Sequence, residues 1–150
     1  MPEDAAAAGL IDSARAFLGL TLEDARNVLG GDVQEVAGDQ YGRMQDVISL
    51  ESTDAFPFVL YVEDDEVRLV RVDHNGLHGV TRSALCSKMG DDFVRLPSRA
   101  GKRAGLLLYA SQGIAFSSEG DELDFLEVFV PCTRREYEHR YYRSPPPFVR

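Results

Sequence analysis

The chain has 150 residues, 44% hydrophobic and 27% charged, with 16 Lys and Arg against 25 Asp and Glu and a formal net charge of −9. This is the size of one globular domain with a sizeable core, and the composition excludes wholesale disorder. The acidic balance excludes general binding to nucleic acid or to an anionic membrane, both of which recruit clustered Lys and Arg. No apolar run approaches the ~20 residues of a membrane span.

The start, Met1-Pro2-Glu3-Asp4, carries acid where a secretory signal carries Lys or Arg, so a cytoplasmic location is expected. An Ala-rich helix is predicted from Ala5 to Leu18. Gly19-Leu20-Thr21 then opens a short helix, with Thr21 as N-cap and Glu23 and Asp24 in the first turn, where the positive helix end favours acid. Leu22, Ala25, Val28 and Leu29 fall at helical spacing, and Gly30-Gly31 is the stop. The period then changes to alternation. Strands are predicted over Gln45–Glu51, Phe58–Glu63 and Glu66–Asp73, the last two forming a hairpin around Asp64-Asp65.

The pattern recurs. Gly79-Val80-Thr81 stands 60 residues after Gly19-Leu20-Thr21, and Gly90 stands 60 after Gly30. A second short helix runs from Thr81 through Ala84, Leu85 and Met89. Strands follow over Leu106–Ala110, Gly113–Ser118 and Asp121–Val130, with a hairpin turn at Glu119-Gly120. Val67–Val72 resembles Leu123–Val128 at an offset of 56. Two repeats, about 19–75 and 79–131, are therefore expected inside a single domain spanning 1–150. The class is α+β rather than parallel α/β, because no long helix joins successive strands.

Two tandem copies of a helical segment and an antiparallel meander, each opened by Gly-x-Thr and stopped by Leu-Gly or Met-Gly, resemble the β-lactamase inhibitor protein family. The single unit resembles the SmpA/OmlA type of outer-membrane assembly lipoprotein. The resemblance implies one curved eight-stranded sheet with helices on one face and a concave protein-binding face on the other. What carries over is the architecture and the binding mode, not the target.

With two-residue turns, Val62 is expected opposite Val67, Leu60 opposite Leu69, Phe116 opposite Leu123 and Ile114 opposite Phe125. These residues, with Phe58, would seat the helices. The other face would then carry Val59, Tyr61, Arg68, Val70 and Val72, followed by Ala115, Ser117, Asp124, Leu126 and Val128. That face is too aliphatic for a solvated surface. Its candidate partner-binding residues are Tyr61, Arg68, Val70, Val72, Asp124, Leu126 and Val128. Three covers compete for it: a protein partner, the chain's own C-terminal segment, and a second copy forming a homodimer.

Residues 134–150 hold five Arg and two Glu, net +3, which leaves 1–133 at −12 from 11 basic and 23 acidic residues. Thr133 with Glu136 forms a capping pattern for a helix through Tyr142, and Ser144–Phe148 reads as extended polyproline. Arg95, Arg99, Lys102 and Arg103 form a solvated basic loop without the glycine spacing of a phosphate-binding loop.

No cofactor or metal is expected. Asn75-Gly76 breaks the helix that would align His74 with His78. Cys86 and Cys132 are too few for a disulfide framework and read as small buried hydrophobes. The acidic body suits fast association with a basic protein. The expected function is a non-enzymatic protein-binding module, an inhibitor or immunity-like protein occluding one partner. The alternatives are a small-molecule or lipid-binding protein and, behind it, an enzyme using Cys86 or His74.

Overall fold

Thr21 and Thr81 begin the two short helices as expected. Each hydroxyl accepts the N–H three residues on, from Asp24 and from Ala84, at 3.1 Å in both cases. A computed structural model describes residues 2–30, 33–52, 57–101 and 103–143. Its elements are α1 (Pro2–Arg15), α2 (Leu22–Leu29), β1 (Val33–Tyr41), β2 (Met44–Ser52), β3 (Phe58–Glu63), β4 (Glu66–Asp73), α3 (Arg82–Met89), β5 (Val94–Pro97), β6 (Gly105–Tyr109), β7 (Ile114–Glu119), β8 (Glu122–Phe129) and α4 (Arg134–Arg140). Single 3-10 turns occupy His74–Gly76 and Ala110–Gln112. The proline-rich stretch 144–148 and Lys102 lie outside the described residues.

The fold is mixed α+β. All eight strands form one open antiparallel sheet in the order β1-β2-β3-β4-β8-β7-β6-β5, so two four-stranded meanders meet along β4 and β8. At the middle of that seam Arg71 pairs with Glu127. The two strands with no sequence signal, β1 and β5, are the sheet edges. An edge strand needs little apolar alternation, and β1 is exposed from Gln34 through Gly38.

Each central hairpin tip ties down a helix. Asp65 accepts the Leu22 N–H at 3.1 Å, while Asp121 accepts the Ser83 N–H at 2.9 Å and the Ser83 hydroxyl at 2.7 Å. The carboxylates at these tips thus hold the positive ends of α2 and α3.

The strand faces differ from expectation, and two β-bulges are the reason. Val62 pairs with Val67, but the next partner of Tyr61 is Leu69, which leaves Arg68 as an extra residue. In the second hairpin Ser118 pairs with Leu123 and Ser117 with Phe125, which leaves Asp124 extra. One inserted residue sends everything beyond it to the opposite face. Leu60 therefore pairs with Val70. In the second hairpin the turn also falls on Gly120-Asp121 rather than Glu119-Gly120, and turn and bulge together pair Phe116 with Leu126 and Ile114 with Val128.

Val70, Val72, Leu126 and Val128, assigned to the binding face by uninterrupted alternation, are instead wholly buried beneath α1, α2 and α3. Leu69 and Phe125 move the other way, into the second apolar layer. Arg68 is the bulge residue itself, paired with Glu66 at 2.9 Å. Asp124, the other bulge residue, accepts from the Ser117 hydroxyl at 3.0 Å. Tyr61 lies on the expected face but is only 8% exposed.

Helices α1, α2 and α3 pack on one sheet face through Ile11, Ala14, Ala25, Leu29, Leu85 and Met89. The fourth does not join them. Thr133 and Glu136 cap α4 reciprocally, and α4 lies on the opposite face, where Tyr137 and Tyr141 pack with Leu69 and Phe129. The C-terminal segment therefore covers part of the surface for which three occupants competed.

Candidate functional site

The face under α4 is organised around one carboxylate. Glu127 lies between Phe125 and Phe129 on β8 and is 1% exposed. The hydroxyls of Tyr41, at the end of β1, and Tyr137, on α4, each donate a short hydrogen bond to it, one to each carboxylate oxygen. Arg99, from the loop between β5 and β6, brings a guanidinium nitrogen to 3.9 Å. Burial pushes the Glu127 carboxyl above the usual carboxylate range, against the opposing pull of the tyrosine hydroxyls, Arg99 and Arg71. Burial likewise drives the Tyr41 and Tyr137 hydroxyls well above their ordinary range, with the Glu127 charge adding to it. Both stay protonated donors at neutral pH.

The geometry fastens three elements together. The cavity beside Glu127, Arg99, Phe125 and Tyr137 measures about 10 Å³, room for one water at most and not for a substrate. A buried carboxylate with two tyrosine donors here joins β1, β8 and α4 at one point.

Above this cluster the guanidinium groups of Arg71 and Arg99 lie over the Tyr41 ring at 5.7 and 4.9 Å. The same two lie over the Phe125 ring at 5.4 and 5.7 Å. Arg71 is held at its outer end by Asp73 at 2.7 Å. Exposure along β4 rises away from α4: Leu69 is at 0%, while the side chains of Arg71 and Asp73 reach 30% and 50%. Half of the face is sealed by the chain itself, and the half around Val59, Arg71, Arg99 and Asp73 is open.

Of the residues singled out from sequence, Tyr61 and Asp124 sit with this open half, Arg68 lies at the bulge, and Val70, Val72, Leu126 and Val128 lie in the core. Sequence reasoning missed Tyr41, Arg71, Arg99 and Glu127. The available signal was Phe125-x-Glu127-x-Phe129, a carboxylate alternating with two aromatics and so forced onto their face.

His74 sits in a 3-10 turn with Nδ1 2.9 Å from the Leu123 carbonyl, so it is occupied by the sheet. Among the described residues no group of three or more His, Cys, Asp or Glu could hold a metal, and no helix is long and apolar enough to cross a membrane. Cys86 and Cys132 are free thiols, and Cys86 lies 3.7 Å from the Tyr109 hydroxyl.

Gly42 sets how closely α4 seats. Its φ is +58°, and a Cβ there would overlap the Tyr141 carbonyl, while the Arg43 N–H donates to the Arg140 carbonyl at 3.1 Å. Gly42→Ala is expected to cost about 1–3 kcal/mol from backbone strain alone and more through the clash. Gly38 also has a positive φ, +67°, but its nearest neighbour would be 3.8 Å away. Gly38→Ala should therefore lower the urea midpoint visibly less than Gly42→Ala.

No family model, curated protein or solved structure matches the chain.

Proposed function

We propose that the chain is a non-enzymatic, cytoplasmic protein-binding module of the inhibitor or immunity type, occluding one basic protein partner with the half of its sheet face that α4 leaves open. The observation that carries this reading is the pair of arginines held over Tyr41 and Phe125. Arginines over aromatic rings, each with a carboxylate beside it (Asp73 for Arg71, Glu127 for Arg99) and about a third exposed, are among the residue types that dominate binding energy at protein interfaces. Glu51 and Asp73 rim this patch with exposed carboxylate, and the net −12 on residues 1–133 would steer a basic partner towards it.

The underlying architecture is a duplicated unit. Supporting this are the matched N-caps Thr21 and Thr81, the matched tip acids Asp65 and Asp121, and the matched bulges at Arg68 and Asp124. Placed side by side, two such meanders produce a sheet wide enough for α4 to cover one half and a partner the other.

Panning a random-peptide library on the full chain should enrich Lys- and Arg-containing sequences. A Glu51→Arg chain should lose them while unfolding within about 0.5 kcal/mol of the original, because Glu51 is exposed. Equal recovery on the two chains, or enrichment without basic residues, would overturn the reading.

A further inference from the structure

A second recess lies where the C-terminal end of α4 meets the turn between β1 and β2. It is an open groove of about 720 Å³, lined by Gln40, Arg43 and Gln45 on one side and by His139, Tyr142 and Arg143 on the other. Its volume falls within the roughly 300–1,000 Å³ typical of ligand sites. The walls are fixed by backbone: the Arg43 N–H donates to Arg140, and Gly42 permits the close approach to Tyr141. Tyr142 is anchored independently through its hydroxyl, which donates to the Pro97 carbonyl at 2.8 Å.

The charges in this groove are unlike those of the rest of the molecule. In a chain with nine more acids than bases, Arg43 and Arg143 stand on opposing walls, both exposed, and neither forms an ion pair among the described residues. The one carboxylate lining the groove, Glu138, is already engaged by Arg134 at 2.7 Å. Two guanidinium forks with no ion pair among the described residues, and the amides of Gln40 and Gln45 on the same groove, present hydrogen-bond donors suited to carboxylates, which an arginine binds through two parallel bonds.

We propose that this groove binds an extended acidic segment of a protein partner, with Arg43 and Arg143 each taking a carboxylate and the two glutamines taking backbone groups. The site uses residues different from those of the open sheet half, so either reading can fail without the other. It also runs against the net charge of the chain, which disfavours an acidic peptide over most of the surface.

The test is fluorescence anisotropy of a labelled oligoglutamate on the full chain, with oligoglutamine of equal length as control. Oligoglutamate should bind and oligoglutamine should not, and binding should weaken as salt screens the contact. Arg43→Glu with Arg143→Glu should weaken binding by roughly tenfold or more, the loss expected for two charge-assisted contacts. Thermal unfolding should stay unchanged, since neither arginine has an ionic partner among the described residues. Equal binding of the two peptides, or an undiminished affinity in the double variant, would overturn the proposal. So would binding of citrate alone, with no retention of oligoglutamate, since that would make the groove a small-carboxylate site.

Discussion

Replacing Glu127 with leucine should destabilise the chain by about 2–5 kcal/mol, read as a lower urea midpoint at an unchanged slope. The loss does not come from a missing attraction alone. Removing the carboxylate leaves the hydroxyls of Tyr41 and Tyr137 buried with no acceptor, and each stranded donor carries a desolvation cost of about 1–3 kcal/mol. Arg99 loses its inward partner as well, but its side chain is 29% exposed and water can take over. Arg71 keeps Asp73. Glu127→Gln preserves the shape and gives one tyrosine an oxygen to donate to and the other an amide N–H to accept from, so it should cost only a small part of the leucine loss. If the leucine variant were as stable as the original, Glu127 would not be the fastening point of this face.

The same pair of variants isolates a pH effect. The folded chain holds Glu127 protonated at a higher pH than the unfolded chain does, because burial disfavours the charge. The stability this supplies is complete below the ordinary carboxylate range and is lost as pH rises through the elevated value. Glu35, Asp121 and Glu136 are shifted downward by hydrogen bonds and act in the opposite sense, losing their contribution as pH falls. The difference between the original chain and Glu127→Gln cancels those three. It should shrink steadily as pH is raised from the acid side, and a flat difference would contradict the assignment.

The legible parts of the fold were those written in local chemistry. Threonine caps and glycine stops declare α2 and α3, Asp64-Asp65 declares the first central hairpin, Glu119-Gly120 marks the second to within one residue, and Thr133 with Glu136 declares α4. Face assignment was not legible beyond the hairpin tips. A bulge adds one residue without any distinctive side chain: Arg68 and Asp124 each sit in an uninterrupted alternating run, and nothing in either run marks the extra position. Because both flanking faces of β4 and β8 are apolar, hydrophobic pattern could not settle the parity. Val70 and Leu69 are equally acceptable as core, and both are indeed buried, on opposite sides. The Glu127 cluster was hidden for a different reason. It draws on β1, β4, β8, α4 and the loop before β6, so it exists only through tertiary packing.

Truncating Tyr137 to alanine should be as damaging as any single change on this face, about 3–5 kcal/mol, because a side chain 1% exposed is removed from contact with Phe129, Tyr141 and Tyr142. Tyr137→Phe should cost less, roughly 1.5–3 kcal/mol, since it keeps the ring and loses only the bond to the carboxylate. The two differ in kind as well as size. A helix of seven residues has too few internal hydrogen bonds to persist alone, so α4 is helical because it is docked. Without the Tyr137 ring, its remaining attachments are Tyr141, the Arg140–Glu63 pair at 2.8 Å, the backbone bond from Arg43 and, just past its end, the Tyr142 hydroxyl on the Pro97 carbonyl. The alanine chain should therefore release α4 before it unfolds globally, exposing Leu69 and Phe129 to solvent. Hydrogen exchange would report this as lost protection at the amides of Tyr137, Tyr141 and Arg43 with the β4–β8 amides still protected. Exposed apolar surface of that kind should also bind a hydrophobic dye and draw two copies together, so sedimentation should show a concentration-dependent dimer in the alanine variant and not in the phenylalanine one. Uniform loss of protection across the whole sheet would instead mean that α4 and the sheet unfold as one unit, and that the helix is core rather than cover.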